Sequence, residues 1–232
     1  MCGRFSLSAK LEELLALVDG LSVLEMPPPR FNIAPTQMVA TTLNEPQRQL
    51  TECRWGLIPF WAKDNSIGAK LINARSETAA ERPSFKISFE KKRCLIFADG
   101  FYEWHLLPDS KIKQPYFIRL KSQKPFAFAG LWDNWQDGEK ETIRSCTILT
   151  TDANSPPKPI HQRMPVILPP DTFDLWLSPE SVPPAELMPL LKPFAASLME
   201  AYPISNAVNK VKNDNPNIQQ PVRLSSTGRL FN

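Results

Sequence analysis

The chain has 232 residues, 42% of them hydrophobic and 22% charged, with a formal charge of +3. That gives room for one large domain or two small ones with a full core and excludes a disordered chain; so small a net charge also excludes a broad polyanion-binding field, leaving only a local Arg/Lys cluster as a nucleic-acid surface. Four cysteines, Cys2, Cys53, Cys94 and Cys146, lack any C-x-x-C spacing and are joined by only two histidines, which excludes a zinc site and a disulfide framework and leads us to expect a reducing cytosol and no metal or other cofactor.

In chain order, "MCGRF" opens the sequence with a thiol at position 2. The apolar stretch "LEELLALVDGLSVLEM" is cut by Glu12, Glu13, Asp19 and Glu25, so it offers neither a signal-peptide core nor a membrane span. Within it Leu11, Leu14, Leu15 and Val18 recur at helical spacing, predicting a short amphipathic helix with Ser8 as N-cap. "MPPPRFNIAP" predicts irregular chain. Short β-type runs then follow: "MVATTL", "RWGLI", "CLIFA", "PYFIRL", "PFAFAG", "CTILTT" and "VIL", each bounded by turn residues. Helices are expected in "SETAAERPSF", stopping before Pro83, in "DTFDLWL" and in "PAELMPLL". The class is therefore α+β, a strand-rich core with flanking short helices. No repeat and no long linker divides it, so a single compact domain is expected over 1–222, with 223–232, "RLSSTGRLFN", as a flexible tail.

Several residues can carry chemistry. If Met1 is removed, Cys2 becomes a 1,2-aminothiol whose amine titrates near about 7.7–8.0 and whose thiol near about 8.5, so both nucleophiles are partly available at neutral pH. Such a pair reacts with an aldehyde first as a Schiff base and then by closure to a five-membered thiazolidine. Arg4 places a fixed positive charge beside it, or is a plain surface charge. In "LINARSET", Asn73 and Arg75 share one face of an extended segment: an amide to orient an oxygen or the amine, a guanidinium to hold phosphate, or else an ordinary hydrogen bond and ion pair. "CLIFADGFYEW" runs from a buried strand through an Asp-Gly turn to Glu103, whose neighbours Tyr102 and Trp104 could desolvate its carboxyl and raise its pKa toward neutrality; the alternative is a structural pair with an Arg. "PKPIHQRMPVIL" sets His161 two residues before Arg163 in a Pro-stiffened loop, a proton carrier beside a phosphate holder or a hydrogen-bonded loop histidine; His105 lacks such a setting. Trp61 offers a stacking face and Lys210 and Lys212 offer phosphate contacts for single-stranded nucleic acid, while Trp55 reads as core.

Taken together, "MCGRF", "RFNIAPTQ", "RWGLIPFW", "LINARSET", "ADGFYEW", "QPYFI", "HQRMPVIL" and "VNKVKN" resemble the SOS response-associated peptidase (SRAP) family, the abasic site processing proteins, over almost the whole chain. The resemblance implies a mixed domain with a β-barrel-like core, loss of Met1, and capture of the ring-opened aldehyde of an abasic site in single-stranded DNA as a thiazolidine crosslink on Cys2, with self-reversal and Schiff-base lyase chemistry. It implies that Asn73, Glu103 and His161 surround the cysteine, the latter two moving protons. Arg4, Arg75, Arg163, Lys210 and Lys212 would hold phosphates and Trp61 would stack. Where many relatives carry a second aromatic after that tryptophan, this chain has Ala62. The partner implied is abasic single-stranded DNA, met by a monomer in the cytoplasm or at the nucleoid, away from membranes. Two other classes start from the same residues: an N-terminal-nucleophile cysteine amidohydrolase or peptidase, since "MCG" also opens such enzymes, and a non-covalent single-stranded DNA-binding module.

Overall fold

The apolar runs of the sequence become the staves of a closed barrel. In the computed structural model, residues 2–107, 111, 113–136, 138 and 142–224 are described. The strands are β1 (Phe5–Leu7), β2 (Arg30–Ile33), β3 (Met38–Leu43), β4 (Leu50–Trp55), β5 (Asn73–Arg75), β6 (Arg93–Ala98), β7 (Gly100–Leu106), β8 (Lys113–Leu120), β9 (Phe126–Gln136), β10 (Thr142–Asp152), β11 (Arg163–Pro165), β12 (Ile167–Leu168) and β13 (Met199–Pro203). The short helices are α1 (Leu11–Leu17), α2 (Ser76–Ala79), α3 (Lys86–Lys91), α4 (Phe173–Trp176) and α5 (Pro184–Leu187).

Strand β3 pairs antiparallel with β4 and β6, β6 with β9, and β9 with β10; β10 then returns to β4 in parallel register, Ser145 opposite Arg54 and Cys146 opposite Trp55. The ring of five closes and leaves no edge within it. Cys53, Cys94 and Cys146 are buried as small apolar core residues. At Gly130 a Cβ would stand 2.7 Å from Cys94 Sγ and 2.8 Å from Ile96 Cδ1, so any side chain there would have to displace both.

A second sheet, ordered β13-β8-β7-β1-β2, lies against the barrel. Phe5 of β1 fixes it there, its ring 5.0 Å from Trp55 and 5.7 Å from Phe128 in edge-to-face contacts, each worth about 0.5–1.5 kcal/mol beyond area burial. The chain passes from barrel to second sheet at Asp99, a corner between β6 and β7 in place of the expected turn. Its carboxylate accepts from Ser6 Oγ and from the main-chain N–H and hydroxyl of Ser8.

That contact corrects the expected N-cap. Ser8 spends its hydroxyl on Asp99, Lys10 occupies the cap, and Glu13 Oε2 accepts from the Lys10 N–H. Leu14 and Val18 are buried as the helical spacing predicts, but Leu15 is exposed and Leu17 packs against the core in its place. "MPPPRFNIAP" is not wholly irregular: past its prolines, Arg30–Ile33 pairs with β1, Phe5 opposite Ile33 and Leu7 opposite Arg30. Among the described residues no helix is long and apolar enough to cross a membrane.

Candidate functional site: a buried cysteine beside a buried carboxyl

Sheet register brings Cys2 to its neighbours. Phe5 lies opposite Phe101 and the Tyr102 N–H donates to Arg4 O at 2.9 Å, so continuing the antiparallel pairing sets Gly3 opposite Glu103 and Cys2 just beyond. Cys2 is fully buried and its thiol donates to Arg4 O at 3.6 Å. From the barrel side, β5 runs parallel to β10 with Asn73 opposite Ile148, and Trp55 Nε1 donates to Ile72 O at 2.9 Å. So anchored, Asn73 donates from Nδ2 to Cys2 O at 2.7 Å; its buried Oδ1 makes no hydrogen bond among the described residues.

Glu103 is 3% exposed, and burial pushes its carboxyl up to about 7, against the pull of the chain's positive amino terminus. Burial, with the Glu103 charge adding to it, also raises the Cys2 thiol well above its ordinary value, so the sulfur stays protonated at neutral pH. The flanking aromatics are not what desolvates Glu103. Side chains alternate along β7, and Tyr102 and Trp104 turn away, Tyr102 donating to Phe31 O at 2.6 Å and Trp104 Nε1 to Asn209 Oδ1 at 2.8 Å. The carboxyl lies on the opposite face of β7 from those two rings and is buried there.

His161 is half-buried, and its Nδ1 accepts the Arg163 N–H at 3.0 Å. Burial lowers its pKa, with the positive charges of the amino terminus and Arg163 acting the same way, so at pH 7 the ring is neutral and carries its hydrogen on Nε2. His105 stands apart, edge-on to Tyr116 with ring centroids 6.4 Å apart.

The cationic residues differ in how far they are engaged. Arg75 is exposed. Arg4 is no plain surface charge: its Nη1 donates to Asn32 Oδ1 at 2.7 Å and Val208 O at 2.9 Å. Arg163 is held by Glu77 at 2.7 and 2.9 Å, Asp152 at 2.7 Å and Thr150 O at 2.6 Å. Lys210 and Lys212 are exposed on a segment fastened by Asn32, whose Nδ2 donates to the carbonyls of Val208, Lys210 and Asn213. Trp61 is 48% exposed and Phe60, one residue before it, 52%. Both sit on a turn tied by Phe60 N–H to Asp133 Oδ2 at 2.8 Å and Trp135 Nε1 to Ala62 O at 2.7 Å. The chain thus has a second exposed aromatic before Trp61 where the sequence pattern led us to look only after it; the Phe-Trp doublet in "RWGLIPFW" was the available signal. Trp55 is core, as expected. Glu77 lies within "LINARSET", but its link to Arg163 spans 86 residues and carries no local sequence signal. Among the described residues no group of three or more His, Cys, Asp or Glu is arranged to hold a metal ion.

A closed mixed barrel that carries a buried near-N-terminal cysteine, held by an asparagine and faced by a near-neutral carboxyl, defines a class of N-terminal-cysteine domains. A family model described as SOS response associated peptidase (SRAP) matches residues 1–211, and the chain belongs to this family. Abasic site processing protein YoqW of Bacillus subtilis is 44% identical over 224 residues, covering 94% of this chain and 98% of that protein. Abasic site processing protein HMCES of Gallus gallus is 35% identical over 202 residues, 77% of this chain and 59% of the longer relative. A crystal structure of a protein from Bacteroides thetaiotaomicron superposes with a TM-score of 0.85 at 31% identity, covering 96% of this chain and all of that one.

Proposed function

We propose that this protein senses abasic sites in single-stranded DNA and captures the ring-opened aldehyde through Cys2 once Met1 has been removed. The observation that carries the reading is the pairing of Cys2, held through its carbonyl by Asn73, with a carboxyl that titrates near 7. Relatives named abasic site processing proteins support the substrate class.

The protonated thiol makes the freed α-amine the first nucleophile. It attacks the aldehyde carbon and water leaves, giving a Schiff base; the sulfur then adds to the imine carbon, its proton passing to the nitrogen, and a thiazolidine closes. Glu103, protonated part of the time near neutral pH, gives a proton to the departing oxygen and takes one from the sulfur, while neutral His161 is the second carrier. Asn73 Oδ1 is available to orient the new amine. Reversal retraces these steps, and β-elimination from the Schiff base gives lyase-type strand cleavage. Arg4, Arg75, Arg163, Lys210 and Lys212 contact phosphates and Trp61 stacks on a base, with Arg75, Lys210 and Lys212 exposed for it and Arg163 reaching phosphate only if a carboxylate yields its place. A monomer acting in the cytoplasm or at the nucleoid completes the reading.

Mixing the protein with single-stranded DNA that holds one abasic site, followed by denaturing electrophoresis, tests this. We expect an adduct that survives denaturation, lacks methionine by intact mass and disappears in Cys2→Ala. Release of ammonia from glutamine without an adduct identifies an amidohydrolase instead, and a mobility shift lost on denaturation identifies a non-covalent binding module.

A further inference from the structure

One ion pair adds a side-chain link between two parts of the site, β5 and β11, that backbone pairing joins only through β10. Glu77 lies in the first turn of α2, just past the strand that carries Asn73. Its carboxylate accepts from both Nη atoms of Arg163, whose side chain is only 14% exposed. The other acceptors on that guanidinium, Asp152 and Thr150 O, belong to β10, which itself pairs with β5, so Glu77 is the acceptor carried by the segment that directly follows Asn73. The main-chain N–H of the same arginine donates to Nδ1 of His161 and so selects the Nε2–H form of the neutral ring. Exposed ion pairs are worth little on average, but a bidentate fork on a mostly buried guanidinium fixes direction as well as distance.

We propose that Glu77 is a positioning residue: by gripping Arg163 it sets the tautomer and placement of His161 relative to the strand that holds the Cys2 carbonyl. The value of a correctly placed proton carrier at 161 rests on the abasic-site reading; the grip and its effect on the ring do not.

The test is Glu77→Gln in the full chain, with two readouts. Because the chain has only two histidines, nitrogen NMR of the imidazoles at pH 7.5 reports His161 directly, with His105 as internal reference. Wild type is expected as the Nε2–H tautomer, and the variant as a mixture of tautomers. Crosslinking to abasic single-stranded DNA should slow about tenfold, less than the roughly 10²–10⁴-fold that a general acid/base contributes in full, while the salt dependence of DNA binding stays as in wild type. An unchanged tautomer in folded Glu77→Gln overturns the proposal. So does tighter DNA binding with a steeper salt slope and an intact tautomer, since Glu77 would then be a stand-in for phosphate on Arg163. If Glu77→Gln does not fold, Glu77→Asp, which keeps the charge but is one methylene too short for the fork, is read by the same two measurements. A shifted tautomer in a protein whose wild type forms no DNA adduct would uphold the grip and reject the abasic-site reading.

Discussion

Unfolded, the Glu103 carboxyl titrates near 4.5; its burial in the fold raises that to about 7. Between those values the folded chain holds a proton that the unfolded chain has lost, so stability falls as pH climbs through the interval and the full cost, at most about 3 kcal/mol, is present above it. Glu103→Gln, which removes the titration and keeps the shape, should therefore resist urea better than wild type at pH 8, with the difference closing by pH 5. Equal urea midpoints at both values would mean the carboxyl is not held near neutrality. The same variant should exchange a preformed crosslink onto a second abasic oligonucleotide more slowly than wild type, because thiazolidine opening needs a proton on sulfur. At position 2, Cys2→Ser keeps the amine and loses easy ring closure. It should nick abasic DNA by elimination while yielding little denaturation-resistant adduct; a wild-type yield would rule out the thiazolidine.

At the scale of elements, the 59–62 turn and β5 are the two surfaces we propose for single-stranded DNA. Trp61→Ala should weaken binding by about 1–3 kcal/mol regardless of sequence, measured by fluorescence anisotropy with Cys2→Ala to suppress capture. Arg75→Ala should lower the slope of log K against log salt by about 0.7, and an unchanged slope would take β5 out of the DNA path. How legible these elements were follows from their chemistry. "MVATTL" was read to the residue as β3 because β-branched residues stand between clear turn signals. β2 was hidden by the prolines beside it, and β5, three residues long, owes its form to pairing with β10 and not to its own composition. Cys2, Asn73, Glu103 and His161 are legible as candidates by residue type. Their surroundings are not, since the strand alternation that turns Tyr102 and Trp104 away from Glu103 appears only once β7 has a register.

At the scale of the whole molecule, the first strands are laced to the 208–214 segment. Asp214 accepts from Arg30 and from the main-chain N–H groups of Phe31 and Asn32, and Asn32 in turn holds Arg4 and three carbonyls of the 208–213 segment. Asp214→Ala strands the main-chain N–H groups of Phe31 and Asn32 and leaves Arg30 with Gln37 alone, so it should cost about 1–3 kcal/mol per unsatisfied buried group and loosen Arg4 with it; chemical denaturation followed by a crosslinking assay measures both, and wild-type behaviour in each would show that the lacing is ornamental. The lacing also imposes an order on biosynthesis. Arg4 is bonded to a carbonyl 204 positions later in the chain, and at translation speeds of about 5–20 residues per second that partner emerges roughly 10–40 s after the first residues do. Throughout that interval Arg4 lacks the carbonyl that later holds it, so the leading residues stay less enclosed during elongation than in the finished fold.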